Sequence, residues 1–444
     1  MKNPYTSYRN IFTIAWPVML GSLGQNVIYL IDTSFIGRLS EYDLGASAIG
    51  GIFYFFLFMI GYGLNTGMQV IVARRKGEKN DAAIGEVVDH EILIILLVAT
   101  AAFMLMFFYS ENILSLIVKS DEVRSRTLRF LDYRAFGIFC GLLNSVFMSF
   151  FIGIGNTKVT TWTTGVLVAV NLFFLYCLVF GNLGFPRMEI AGAGLASTIA
   201  EASVTVVMLF YLFHKRIKHE YRLFEFLKIK LSLVIQMLKL SGPLVFQQII
   251  SVGSWWVFFL AIEHLGERKL AISNLVRTMY AFYGVPIWAL ASTVNSMTSN
   301  LIGQGKANDV IPLIRKVALI SLSLAVLFGI FVVFFPAQIL SIFTNERDLI
   351  ADSIPALYSV LIAILLFSVS ILTIFAVSGT GATKISFRIE VVCIVAYLTY
   401  IYFTAIRFEL SLPVIWLTES VYWLIALVLS SWYMIYGNWK TRKV

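Results

Sequence analysis

The sequence predicts an all-α membrane protein of twelve transmembrane helices, arranged as two six-helix lobes related by a pseudo-twofold axis along the membrane normal. Three observations predict it: a strongly apolar composition, a regular succession of long uncharged runs, and an internal repeat. Of 444 residues, 59% are hydrophobic and only 13% charged, with mean hydropathy +0.84, against about 25% charged in a soluble globular chain. So few charges cannot coat a water-soluble domain of this length. Crossing the hydrocarbon core takes about 20 mainly apolar residues. The stretches Ala135 to Thr157, Val159 to Pro186, Val317 to Asn345 and Ser353 to Thr383 each supply that length without one charged residue.

Charged punctuation between the apolar runs divides the chain into spans at 10–37, 44–73, 90–110, 130–153, 160–181 and 190–213. A second set follows at 234–263, 270–302, 316–336, 353–378, 386–406 and 411–436. The hydrophilic stretch His214 to Lys230 reads as a linker, giving an N-terminal lobe at 1–213 and a C-terminal lobe at 231–444. Arg74, Arg75, Lys76, Lys79, Lys158, Lys215, Arg216, Lys218, Arg222, Lys228, Lys230, Lys306, Arg315, Lys316, Lys384, Arg388, Lys440, Arg442 and Lys443 all fall on the side of the N-terminus. The opposite side has fewer, chiefly Lys119, Arg124, Arg126, Arg129, Arg187, Arg268 and Lys269. By the positive-inside rule both termini are expected in the cytoplasm of a cell inner (plasma) membrane. The net charge of +9 is thereby read as orienting charge, with no nucleic-acid partner, because no basic face with interleaved aromatics stands apart from the spans. Cys140, Cys177 and Cys393 lie within apolar spans, which argues against a disulfide framework. The first apolar run is too long for a removable signal peptide and lacks a small-residue cleavage pattern.

The halves repeat. Ile113-Leu-Ser-Leu-Ile117 is echoed by Ile339-Leu-Ser-Ile-Phe343, and Gly153-Ile-Gly-Asn-Thr-Lys158 by Gly379-Thr-Gly-Ala-Thr-Lys384, both at a shift of 226. Trp16-Pro17 and Gly242-Pro243 share that shift, and Gly77…Asn80-Asp81 matches Gly305…Asn308-Asp309 two residues later. Six spans between equivalent points make the repeat parallel, and substrate sites in such folds lie near the bilayer midplane at the repeat interface. The two Gly-x-Gly-x-Thr-Lys segments lack the ending of a phosphate loop and any preceding strand, and so read as tight turns after spans four and ten.

Asp32 is the sharpest candidate for chemistry. It sits late in the first span with no basic residue before Arg38, and a carboxylate in a transmembrane helix costs on the order of 3 kcal/mol and marks an ion or proton path. Gln25, two helical turns earlier, shares its face. Glu201 in span six and Glu419 in span twelve could join a proton relay or pair with helix ends. Arg277 is the only charge within span eight and needs a partner, Glu390 or Glu263. Gln247 and Gln248 follow Pro243 by one turn, and with Asn65, Asn171 and Asn295 they either line a polar cavity or bond between helices. Trp255, Trp256, Tyr280, Tyr283 and Trp288 form an aromatic set, read as lipid-facing, core or cavity-lining. His90, His214, His219 and His264 lack metal-ligand spacing, so no metal is expected. No nucleophile, base and oxyanion arrangement signals an enzyme.

Trp16-Pro17, Gln25 and Asp32-Thr-Ser-Phe-Ile-Gly37 resemble the first helix of the multidrug and toxic compound extrusion (MATE) transporters. Gly153…Gly155-Asn-Thr-Lys158, the Asn171 segment through Gly181 and Pro186, and Gly192-Ala-Gly-Leu-Ala-Ser197 resemble that family's later pattern. Pro243, Leu265-Gly266 and Pro286…Leu301-Ile-Gly-Gln-Gly305 continue it. The resemblance implies two lobes around a central cavity, no cofactor, and a monomer in the lipid bilayer. It also implies export of small amphipathic, cationic molecules in exchange for inward H⁺ or Na⁺. It maps the family's first-helix acid to Asp32, its fifth-helix Asn to Asn171 and its sixth-helix hydroxyl to Ser197, and Glu201 joins them as a candidate cation-coupling residue. Gln25, Gln247, Gln248, Trp255, Tyr280 and Arg277 are the candidate substrate-cavity residues. The sequence departs from the pattern at Leu175, where some members carry Asp, and at Ser251 and Ala382, where others place acids in helices seven and ten. The cation site is therefore expected in the N-terminal lobe. Rival readings are a flippase for lipid-linked saccharides, which needs several cavity arginines where the spans show mainly Arg277, a membrane-embedded enzyme, and a channel, for which no pore loop is visible.

Overall fold

A computed structural model describes residues 6–226 and 229–442; Lys228 and Lys443 among the orienting charges lie outside the described residues. Twelve long helices make up the fold of the described residues. They are α1 (Tyr8–Ile36), α2 (Glu41–Gly77), α3 (Asp81–Phe108), α4 (Asp121–Ile154), α5 (Lys158–Phe180), α6 (Glu189–His214), α7 (Leu231–Glu263), α8 (Glu267–Gly303), α9 (Val310–Phe334), α10 (Arg347–Gly379), α11 (Thr383–Ile401) and α12 (Leu412–Tyr436). Each expected span lies on one of them. Several helices outrun their apolar windows because polar caps keep the first turns hydrogen-bonded. Ser40, Asn80 and Ser120 accept from the backbone N–H groups of Asp43, Ala83 and Val123 at 3.1, 3.3 and 3.4 Å, which satisfies donors that a bare helix start leaves open.

Among the described residues, eleven helices are long and apolar enough to cross a membrane. The twelfth, α8, carries Arg277 and a run in which Thr293, Asn295, Ser296, Thr298, Ser299 and Asn300 are all buried. Those polar side chains face protein, which lowers hydropathy without exposing the groups to lipid.

By contact the chain divides into two compact units, Trp16–Val245, and Met1–Ala15 with Phe246–Val444. In the first, α4 packs against α2, α3 and α6, and α6 against α5; in the second, α10 packs against α8, α9 and α12, and α12 against α11. The same pattern built twice is what the internal repeat requires. Small residues set the seams, as is usual where apolar lipid gives helices little hydrophobic reason to associate. A Cβ at Gly61 on α2 would lie 2.4 Å from Leu142 on α4, and one at Gly379 on α10 would lie 2.4 Å from the Asn295 carbonyl of α8. The duplicated Gly-x-Gly turns end α4 and α10 through Gly155 and Gly381, at φ 79° and 87°. Only glycine adopts that left-handed backbone without strain.

The stretch read as a linker is folded against its own unit. After the short helix Ile217–Tyr221, Asp89 of α3 accepts the backbone N–H groups of Phe224 and Phe226 at 2.7 and 2.9 Å. His90 Nε2 accepts that of Lys230 at 3.0 Å, while Nδ1 meets the Glu86 carbonyl at 2.7 Å. Lys76 donates to the Tyr221 hydroxyl at 2.8 Å, and burial pushes that phenol up to about 12, so it stays neutral as an acceptor.

Candidate functional site

Helix α1 places Asp32 through close packing on α5. Thr160 and Thr161 donate to the Pro17 carbonyl at 3.3 and 3.2 Å, and a Cβ at Gly24 would lie 2.2 Å from the Thr164 methyl. About two helical turns beyond that seam, α1 presents Asp32 and α5 presents Asn171, whose side chains interact. Asn171 is buried and donates through Nδ2 to the Ser197 hydroxyl of α6 at 3.4 Å. The three residues that the family resemblance maps are thus brought together.

Two oxygens here are orphaned. Asp32 Oδ1 and Asn171 Oδ1 are both buried and have no hydrogen-bond partner among the described residues. Buried acceptors left unpaired are costly, and two adjacent ones beside a hydroxyl suit a small cation or a proton shared among oxygens.

Next to this group lies an ion pair of which only Glu201 was among the candidates. Arg134 on α4 donates to Glu201 on α6 through two nitrogens at 2.8 and 2.6 Å. Its guanidinium lies over the Tyr54 ring, 3.6 Å from the centroid, and the Tyr54 hydroxyl donates to both Glu201 oxygens at 3.2 and 3.1 Å. Both Arg134 and Glu201 are within electrostatic reach of Asp32. Gly137 and Gly141 form the slot: a Cβ at the first would sit 2.4 Å from the guanidinium, and at the second 2.5 Å from the Tyr54 hydroxyl. Arg134 lies inside the expected span 130–153 but was not singled out, because it closes a charge-rich stretch from Asp121 directly before the uncharged run that begins at Ala135. The Ser120 cap starts α4 at that stretch and carries Arg134 into the lobe. The glycines three and seven residues later were the available signal.

In the other unit, Glu390 on α11 accepts from Tyr422 at 2.7 Å and from Gln247 at 3.2 Å, and Ser386 donates to Gln247 Oε1 at 3.1 Å. Glu419 on α12 accepts from Tyr397 at 3.1 Å, and Tyr280 accepts from the Trp423 indole at 2.7 Å and is stacked with Trp255. Gln247, Trp255 and Tyr280 therefore belong to one polar and aromatic cluster, with Gln248 half-buried beside Gln247. Arg277 does not take the carboxylate partner expected of it. It is exposed, lies over the Phe259 ring at 4.8 Å, and forms no salt bridge among the described residues. Glu390 is already held by neutral donors. Gln25 is likewise exposed on α1. Asn65 donates to Ser145, and Asn295 to the Phe375 carbonyl at 3.1 Å, so both bond between helices, one in each unit.

Two duplicated sets of membrane-length helices, with an ionisable cluster inside the lobe, define a polytopic membrane transporter. The sequence pattern described as MatE matches residues 17–177 and again 243–403, in step with the internal repeat, and the chain belongs to that family of transporters. It is 24% identical to "Probable multidrug resistance protein NorM" of Pasteurella multocida over 77% of this chain and 74% of that protein. To the protein of the same description from Mannheimia succiniciproducens it is 25% identical, over 87% and 83%. A solved structure described as the outward-facing conformation of a multidrug resistance MATE family transporter of the MOP superfamily superposes at TM-score 0.90. It covers 98% of this chain and 96% of that one at 17% identity, a likeness of fold.

Proposed function

We propose that the protein is a secondary active multidrug efflux transporter that exports small amphipathic, cationic compounds in exchange for H⁺ or Na⁺. It acts as a monomer of twelve spans in the inner membrane, with both termini cytoplasmic. Asp32, Asn171 and Ser197 receive the coupling cation. The pair of buried, unpartnered oxygens on Asp32 and Asn171 carries this reading: a bound cation satisfies both and neutralises the one carboxylate of the cluster that has no salt-bridge partner. In the C-terminal lobe, Trp255, Tyr280, Gln247 and Gln248, with the exposed Arg277, supply flat aromatic and amide surface suited to loosely held organic cations; Gln25 does so on α1. Cation binding drives transport only if it favours one state over another, so coupling is lost when Asp32 can no longer carry charge.

The test is energised efflux of ethidium from cells carrying wild type or Asp32→Asn, with H⁺ and Na⁺ gradients collapsed in turn. Efflux that stops in the variant at equal membrane abundance supports the reading, and the gradient whose collapse stops the wild type names the ion. Unchanged efflux by Asp32→Asn removes Asp32 from the coupling path.

A further inference from the structure

The Arg134–Glu201 pair has a second consequence, which rests on Asp32 as the coupling acid. We propose that Glu201 is a positioning residue: by holding Arg134 at two points it keeps that guanidinium from becoming the counter-ion of Asp32, and so leaves Asp32 open to a mobile cation. This replaces the expectation that Glu201 itself receives the ion.

Asp32, Arg134 and Glu201 sum to minus one when all are ionised. Arginine stays charged at any physiological pH, so Arg134 is a permanent cation inside the lobe, within electrostatic reach of Asp32. Nothing about titration can remove it as a competitor, whereas a stronger partner can. Glu201 is that partner, with both carboxylate oxygens bonded to guanidinium nitrogens at 2.8 and 2.6 Å. Parallel two-point bonding is the strongest geometry an arginine has.

The surroundings fix Glu201 rather than leave it free to move. Tyr54 donates to both of its oxygens and floors the guanidinium with its ring. Asn144 donates to the Glu201 backbone carbonyl at 2.8 Å, and Thr205 donates to the Asn144 carbonyl oxygen at 2.8 Å, which ties α6 to α4 at this level. Gly137 keeps the slot open, since a Cβ there would lie 2.4 Å from the Arg134 nitrogen and 2.8 Å from a Glu201 oxygen. A coupling acid has to exchange its cation in every cycle. Glu201 is already compensated by a cation that cannot leave, while Asp32 keeps an orphaned oxygen.

The experiment compares ethidium efflux by wild type, Glu201→Gln, Arg134→Gln/Glu201→Gln and Asp32→Asn, each normalised to membrane abundance and thermal melting in detergent. Glu201→Gln frees Arg134 to pair with Asp32, and efflux falls by about tenfold or more. The double variant removes guard and competitor together, and efflux returns to within about threefold of wild type, which a merely structural role of the pair would not give. Efflux still absent in a folded double variant would overturn the proposal and assign Glu201 to coupling; full efflux by Glu201→Gln alone would overturn it by showing that Asp32 needs no guard against Arg134. Should the double glutamine variant fail to reach the membrane, Arg134→Met/Glu201→Leu puts the same question with an apolar pair. Asp32→Asn separates the two levels: if it transports normally, the underlying coupling reading fails, whatever the other variants do.

Discussion

Tyr54 serves Arg134 and Glu201 at once: its ring lies 3.6 Å beneath the guanidinium and its hydroxyl donates to both carboxylate oxygens. The two functions can be separated. Tyr54→Phe keeps the ring and loses the hydroxyl, with an expected cost of about 1.5–3 kcal/mol, the worth of a hydrogen bond to a charged group, and efflux retained. Tyr54→Leu loses the cation–ring contact as well and is expected to lower the melting temperature further. Equal melting of both variants would show that the ring contributes nothing.

The strap between α3 and the linker makes a second expectation. Asp89→Ala leaves the N–H groups of Phe224 and Phe226 without their acceptor, at a local cost of about 2 kcal/mol or more. Limited trypsin digestion of the purified protein should cut at Lys215, Arg216, Lys218 or Arg222 several-fold faster in the variant, under conditions where global melting is little changed. Equal cleavage rates would mean that the strap does not hold the linker.

The C-terminal cluster is a contrasting case. Glu390 and Glu419 are buried, at 3% and 2% exposure, yet their hydrogen-bond partners among the described residues are all neutral donors and neither has an orphaned oxygen comparable to that of Asp32. They read as hydrogen-bonded anchors. Glu390→Gln and Glu419→Gln, nearly isosteric, are each expected to keep efflux within about threefold of wild type while costing about 1–3 kcal/mol of stability. Loss of efflux by either at normal abundance and melting would move the coupling path into this lobe.

The helices and their duplication were legible because lipid makes each span long and uncharged, and because the Gly-x-Gly turns recur at a fixed shift. Asp32 stood out for the same reason, a charge where the pattern allows none. Side-chain pairing was not legible. Arg134 meets Glu201 across 67 residues, and no local spacing encodes such a contact. Arg277 was expected to need a carboxylate because it is the only charge within span eight, whereas its side chain is exposed and rests on Phe259. Asn65 and Asn295, for which cavity lining and interhelical bonding were equal alternatives, both bond between helices.

On the proposed function Asp32 holds one exchangeable cation. Equilibrium uptake by purified protein tests this most directly, with radiolabelled Na⁺ binding and proton uptake followed in parallel for wild type and Asp32→Asn. Wild type is expected to take up one more cation per chain than the variant, in one of the two assays. Identical uptake by the two proteins in both assays would contradict it.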